Sequence, residues 1–144
     1  MANPTPKKQT WEDSCWAACM EMWTGCMPKW EQHTEAWFGD NYSDRGVMGL
    51  TPDGRKFWQL LNKYGLSMKI VDGSVLNEKE VRGYLNRGGC FMYIESYGGA
   101  SSHARLAYDY DAPTRGLLIC EPATGRKTTH YLMSLKDMML VYKL

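Results

Sequence analysis

The stretch QTWEDSCWAACMEMW, residues 9–23, constrains this chain more than any other. Cys15, Cys19, Met22 and Cys26 fall on one helical stripe, and Trp16, Met20, Trp23 and Met27 fall on the neighbouring one. A helix over about 14–23 is therefore apolar all round, which is the pattern of a buried helix. Asp13 and Ser14 are both good N-cap residues, so Cys15 sits in the first turn. Unpaired backbone N–H groups and the positive end of the helix dipole favour a thiolate there. Gln9 lies six residues upstream, within reach of a short loop that brings its amide beside the sulfur. A donor amide next to a nucleophilic sulfur stabilises the oxyanion of acyl transfer. Chemistry of that kind also needs a histidine base and a group to orient it.

The bulk numbers exclude several alternatives. A chain of 144 residues is one domain with a single core. Hydrophobic residues at 44% and charged residues at 23% are globular values, which argues against a disordered or membrane class. The net charge of +1, with both signs intermixed, gives no support to a nucleic-acid partner. The apolar runs are too short to cross a bilayer. The first ten residues, MANPTPKKQT, lack the apolar region of a secretory signal, so synthesis in a cytosol without a cleaved signal is expected. With five cysteines and no such signal, free thiols are the better expectation than a disulfide framework.

Residues 1–8, with two prolines and two lysines, read as a flexible arm or an extended lead-in. After the helix over 14–23, Gly25 is a stop and Pro28 opens a second helix over roughly 28–38. Residues 39–50 form a loop. Thr51-Pro52-Asp53 starts a helix to about Tyr64, with Gly65 as its C′ residue. A short strand spans 67–71. Asn77 caps a further helix that ends at Gly88-Gly89. From there the pattern is β: 90–95, then a Gly/Ser-rich loop, then 103–110, 116–120, 128–132 and 139–143. Helices lead and strands follow, giving an α+β fold with N-terminal helices packed on a C-terminal antiparallel β-sheet.

Of the three histidines, His33 lies on an aromatic-rich helix and His130 in mid-strand, the setting of surface or satisfied core residues. His103 opens a strand directly after the glycine-rich loop. Glu121 stands at the end of the next strand, in Ile119-Cys120-Glu121-Pro122. Two antiparallel strands joined by a turn put the start of one beside the end of the other, so His103 and Glu121 are expected to be neighbours. The carboxylate then holds the imidazole in its working tautomer.

Gln9, Cys15-Trp16-Ala17-Ala18 at a helix start, a histidine after a Gly-rich loop, and an acidic-Pro pair closing the following strand resemble the papain-like cysteine peptidases. The similarity is greatest to their compact bacterial branch of bacteriocin-leader peptidases and injected effector proteases, and it covers nearly the whole chain. It implies Gln9 as oxyanion donor with the Cys15 N–H as second donor, Cys15 as nucleophile, His103 as general base and acid, and Glu121 as orienter. It also implies a protein or peptide substrate and no cofactor. An effector or toxin of this kind is exported by a specialised system, acts in the cytosol of a target cell, and is covered by a cognate immunity protein when it is antibacterial. The sequence departs from the family at one place: Asp or Asn usually precedes the proline, and Glu121 is one methylene longer. Asp109 and Asp111 are the fallback orienters, since alternation from His103 puts Asp109 on the same face.

The remaining residues read more plainly. Cys19 and Cys26 are core. Cys15, Cys19, Cys26 and His33 are separated by three, six and six residues, which is not the close-pair pattern of structural zinc. Trp11 and Trp16 flank the site and can wall a substrate groove, and Gly98 and Gly99 can admit a substrate backbone. Two rivals remain: a glutamine deamidase or transglutaminase-like toxin using the same Cys, His and acid, and a non-catalytic peptide-binding domain on the same fold.

Overall fold

The run CFMYIE explains the layering. A strand with one face in solvent alternates apolar and polar residues, whereas a strand buried on both faces is apolar throughout. Phe91, Met92, Tyr93 and Ile94 are all buried, and they divide between two cores. Met92 and Ile94 pack with the N-terminal helix, and Phe91 and Tyr93 pack with the second helix on the opposite side. The sheet is therefore sandwiched between helices.

The computed structural model describes residues 3–9, 15–24, 61–96, 102–132 and 137–144. Its elements are α1 (Cys15–Thr24), β1 (Leu66–Asp72), α2 (Glu78–Gly88), β2 (Phe91–Ser96), β3 (Ser102–Asp111), β4 (Gly116–Glu121), β5 (Arg126–Tyr131) and β6 (Asp137–Lys143). Among the described residues the strands form one antiparallel six-stranded sheet in the order β1-β6-β2-β3-β4-β5. The fold is α+β, with every expected element in this part of the chain present to within about two residues. The helix expected over 28–38, the loop at 39–50, and residues 51–60 of the next helix lie outside the described residues; Leu61, Asn62 and Lys63 are helical.

Residues 15–20 are all buried, so α1 is enclosed on every side as its apolar circumference demands. Trp16 is 1% exposed and belongs to the core beneath the sheet. It does not wall a groove: on a helix without a polar side, the indole packs inward. Trp16→Ala is expected to cost about 3–5 kcal/mol in a denaturant unfolding experiment with an unchanged slope, because the cavity cannot close in so tightly packed a layer.

α2 starts as the sequence expects. The Asn77 side chain accepts the Glu80 N–H at 2.9 Å, and its amide donates to the Glu80 carboxylate at 2.7 Å. The helix closes at Gly89, which has φ +75° and donates its N–H to the Leu85 carbonyl. Residues 3–9 are docked rather than loose. Pro4 is buried, the Lys7 N–H donates to the Met22 sulfur at 3.0 Å, Lys7 pairs with Glu21, and Lys127 donates to Asn3. This is the extended lead-in of the two readings, tied down by tethers that lie far away in sequence.

Candidate active site

Two layers meet at Cys15. It is the first residue of α1 and is 4% exposed. The helix packs on β3, where the backbone N–H of Ala104 donates to Cys15 Sγ at 3.4 Å. His103 is the preceding residue, and Cys15 is among the groups that raise its imidazole. The other described cysteines differ. Burial pushes the Cys19 thiol well up, reinforced by neighbouring Cys15. Burial also raises Cys120, and it lifts Cys90 to about 12. They are inert packing groups.

The start of β3 lies beside the end of β4, as the turn between them requires. His103 Nε2 donates to Glu121 Oε2 at 2.6 Å. Burial of His103 opposes its charged form, but the hydrogen bonds and charges of Cys15 and Glu121 outweigh it and raise the imidazole to about 9. Burial likewise pushes the Glu121 carboxyl up, yet His103 and then Arg105 outweigh it and hold the group below its ordinary value. The extra methylene of glutamate is thus accommodated without loss of the contact.

The fallback orienters are not at the site. A β-bulge falls between Ala107 and Asp109, so that Ala107 pairs with Ile119 and Asp109 with Leu118. The extra residue reverses the alternation and moves Asp109 to the opposite face from His103. Asp109 Oδ1 accepts the N–H of Tyr110 instead. Asp111 lies at the far end of β3 and accepts the Thr114 hydroxyl.

Gln9 reaches the same end of β4. Its backbone N–H donates to the Pro122 carbonyl at 2.8 Å, one residue beyond Glu121, and its side-chain oxygen is buried. Gly125 makes this possible: it has φ +70°, and a Cβ there would stand 2.9 Å from the Lys8 backbone nitrogen. Gly125→Ala is therefore expected to strain the turn and push the lead-in off β4. The signature is a lower unfolding midpoint, a loss on the order of 1 kcal/mol or more, read in thermal melts.

The sequence reading missed what lies behind Glu121. Arg105 Nε donates to Glu121 Oε1 at 2.8 Å, and its Nη1 donates to Glu95 Oε1 at 3.0 Å. Glu95 is 4% exposed and stands directly across from His103 in the β2–β3 register. His130 Nδ1 is 3.8 Å from Glu95 and 2.7 Å from the Tyr93 hydroxyl. Burial pushes His130 down, and it pushes the Tyr93 hydroxyl well up. The signal for Arg105 was in the sequence: it is two residues past His103 on the same strand, and hence on the same face.

Among the described residues no group of three or more His, Cys, Asp or Glu side chains is arranged to hold a metal, and no helix is long and apolar enough to cross a membrane. Trp11, Asp13, Ser14, Cys26, His33, Gly98 and Gly99 lie outside the described residues.

No protein-family model matches this chain, and no curated protein matches it in sequence. A solved structure to which it is similar is the peptidase domain of Streptococcus ComA, a bi-functional ABC transporter involved in quorum sensing. The superposition has a TM-score of 0.52 at 13% sequence identity, and it covers 99% of this chain and 100% of that one. The chain has the fold of a peptidase domain.

Proposed function

We propose that this chain is a papain-like cysteine endopeptidase. The observation that carries the reading is His103 held by Glu121 at 2.6 Å next to Ala104, whose N–H donates to Cys15 Sγ at 3.4 Å, on a fold shared with a peptidase domain. His103 takes the Cys15 proton, or holds it as an ion pair. The sulfur attacks a peptide carbonyl, and Gln9 with the Cys15 N–H receives the tetrahedral oxyanion. His103 protonates the departing amine, and water then hydrolyses the thioester. The biological setting we propose is an effector or toxin domain delivered to a target cell, supported by the resemblance to injected effector proteases.

Two measurements test the chemistry. Cys15 is expected to be alkylated by iodoacetamide near neutral pH far faster than Cys19 or Cys90. Labelling at equal rates would indicate a non-catalytic binding domain. Mass spectrometry of proteins exposed to the wild-type chain should then find new backbone termini. Intact backbones with a shift of about one mass unit per glutamine would mean a deamidase, since both reactions pass through the same thioester. Gln9→Ala is expected to lower kcat by about 10²–10³-fold, the usual effect of removing one oxyanion donor.

A further inference from the structure

One carboxylate touches the imidazole, and a second lies behind it on Arg105. Glu121 accepts from His103 directly, and Glu95 is its cross-strand partner on the same face of the sheet. Cys15 from α1 and Glu121 from β4 act on His103, and behind Glu121 the network runs through Arg105 of β3 to Glu95 of β2, which His130 of β5 and then Tyr93 of β2 adjoin. A general acid must be able to release its proton, so it matters how the charge of Glu121, and of Glu95 behind it, is shared. Arg105 stands between them, with separate nitrogens on Glu121 and Glu95.

We infer that Arg105 is a positioning residue that divides the Glu121 carboxylate: it occupies Oε1, leaves only Oε2 to His103, and so sets both the orientation of the imidazole and the strength with which it keeps its proton. The planar guanidinium suits this task because two of its donors leave in fixed directions, whereas a lysine ammonium is a point charge that engages one carboxylate at a time. Glu95 is the anchor at the other end, with its side chain 5% exposed. Glutamate at 121 and arginine at 105 form a matched pair in which the longer acid reaches His103 and Arg105 alike.

The inference rests on the proposed catalytic unit, and its test reads the imidazole whether or not a peptide is cleaved. His103 is titrated by NMR in full-length protein carrying ¹⁵N-histidine, with its signal assigned by loss in His103→Gln. Arg105→Gln frees Glu121 and is expected to move the titration up by on the order of one unit. Glu95→Gln leaves the Arg105 charge undivided on Glu121 and is expected to move it down. Arg105→Lys keeps the charge, so its titration should stay with the wild type while kcat falls severalfold at an unchanged KM. A purely structural Arg105 would move the two glutamine variants in the same direction or not at all, and either result overturns the inference. If Arg105→Gln does not fold, Glu95→Gln decides alone: a titration that fails to fall overturns it. Cys15 alkylation on the same samples separates the two readings, because a sulfur no more reactive than Cys19 overturns the peptidase and an unmoved titration overturns Arg105.

Discussion

Cys15→Ala is expected to abolish turnover, by on the order of 10⁵–10⁶-fold, while the protein keeps its fold. In the proposed mechanism Cys15, His103 and Glu121 act as one unit, so removing the sulfur leaves only the oxyanion donors and binding to work with. The structural loss is small by comparison. One atom leaves the α1–β3 interface and the Ala104 N–H loses its acceptor, at a cost of about 1 kcal/mol. The decisive comparison is single-turnover cleavage alongside a thermal melt. Residual cleavage by a folded Cys15→Ala protein would remove this cysteine from the mechanism.

The second large effect is on pH. His103 lies near 9 instead of the ordinary 6.5, so the imidazolium survives through the neutral range. The alkaline limb of kcat/KM is expected near pH 9. Glu121→Gln removes one of the groups that raise His103, so it should pull that limb toward neutrality as well as lower the rate. Stability follows the same linkage. A folded-state value above the unfolded one stabilises fully below pH 6.5, and that contribution fades as pH rises through about 9. Glu121 has the opposite sign: its contribution is present above 4.5 and is lost as pH falls through its depressed folded value. Together the pair favours the folded state most between about pH 4.5 and 6.5, which unfolding midpoints across pH 3–10 would register. An alkaline limb that stays in place in Glu121→Gln would uncouple the carboxylate from the base.

Cys15 and His103 were legible as candidates because local rules announce them. A cysteine at an expected helix start and a histidine at a strand start need only their neighbours in sequence to be noticed. Glu121 was legible through one further step, the antiparallel hairpin. Asp109 misled because strict alternation holds only in an unbroken strand, and nothing in ARLAYDYD announces the bulge after Ala107. Trp16 misled because proximity to Cys15 in sequence says nothing of which side of a wholly buried helix an indole takes. The docking of residues 3–9 and the Arg105–Glu95 contact depend on which strands become neighbours, and pairing between distant segments leaves no local mark.

The strand order has a consequence for the timing of synthesis. β6 fills the slot between β1 and β2, so the middle of the sheet stays open until residues 137–143 have been made. Cys15 emerges early, but Glu121 follows more than a hundred residues later, and the strand that closes the sheet comes later still. A growing chain thus carries a thiol whose base has nothing to stand on. The proposed site is therefore assembled only after β3 and β4 have paired, long after Cys15 has been made.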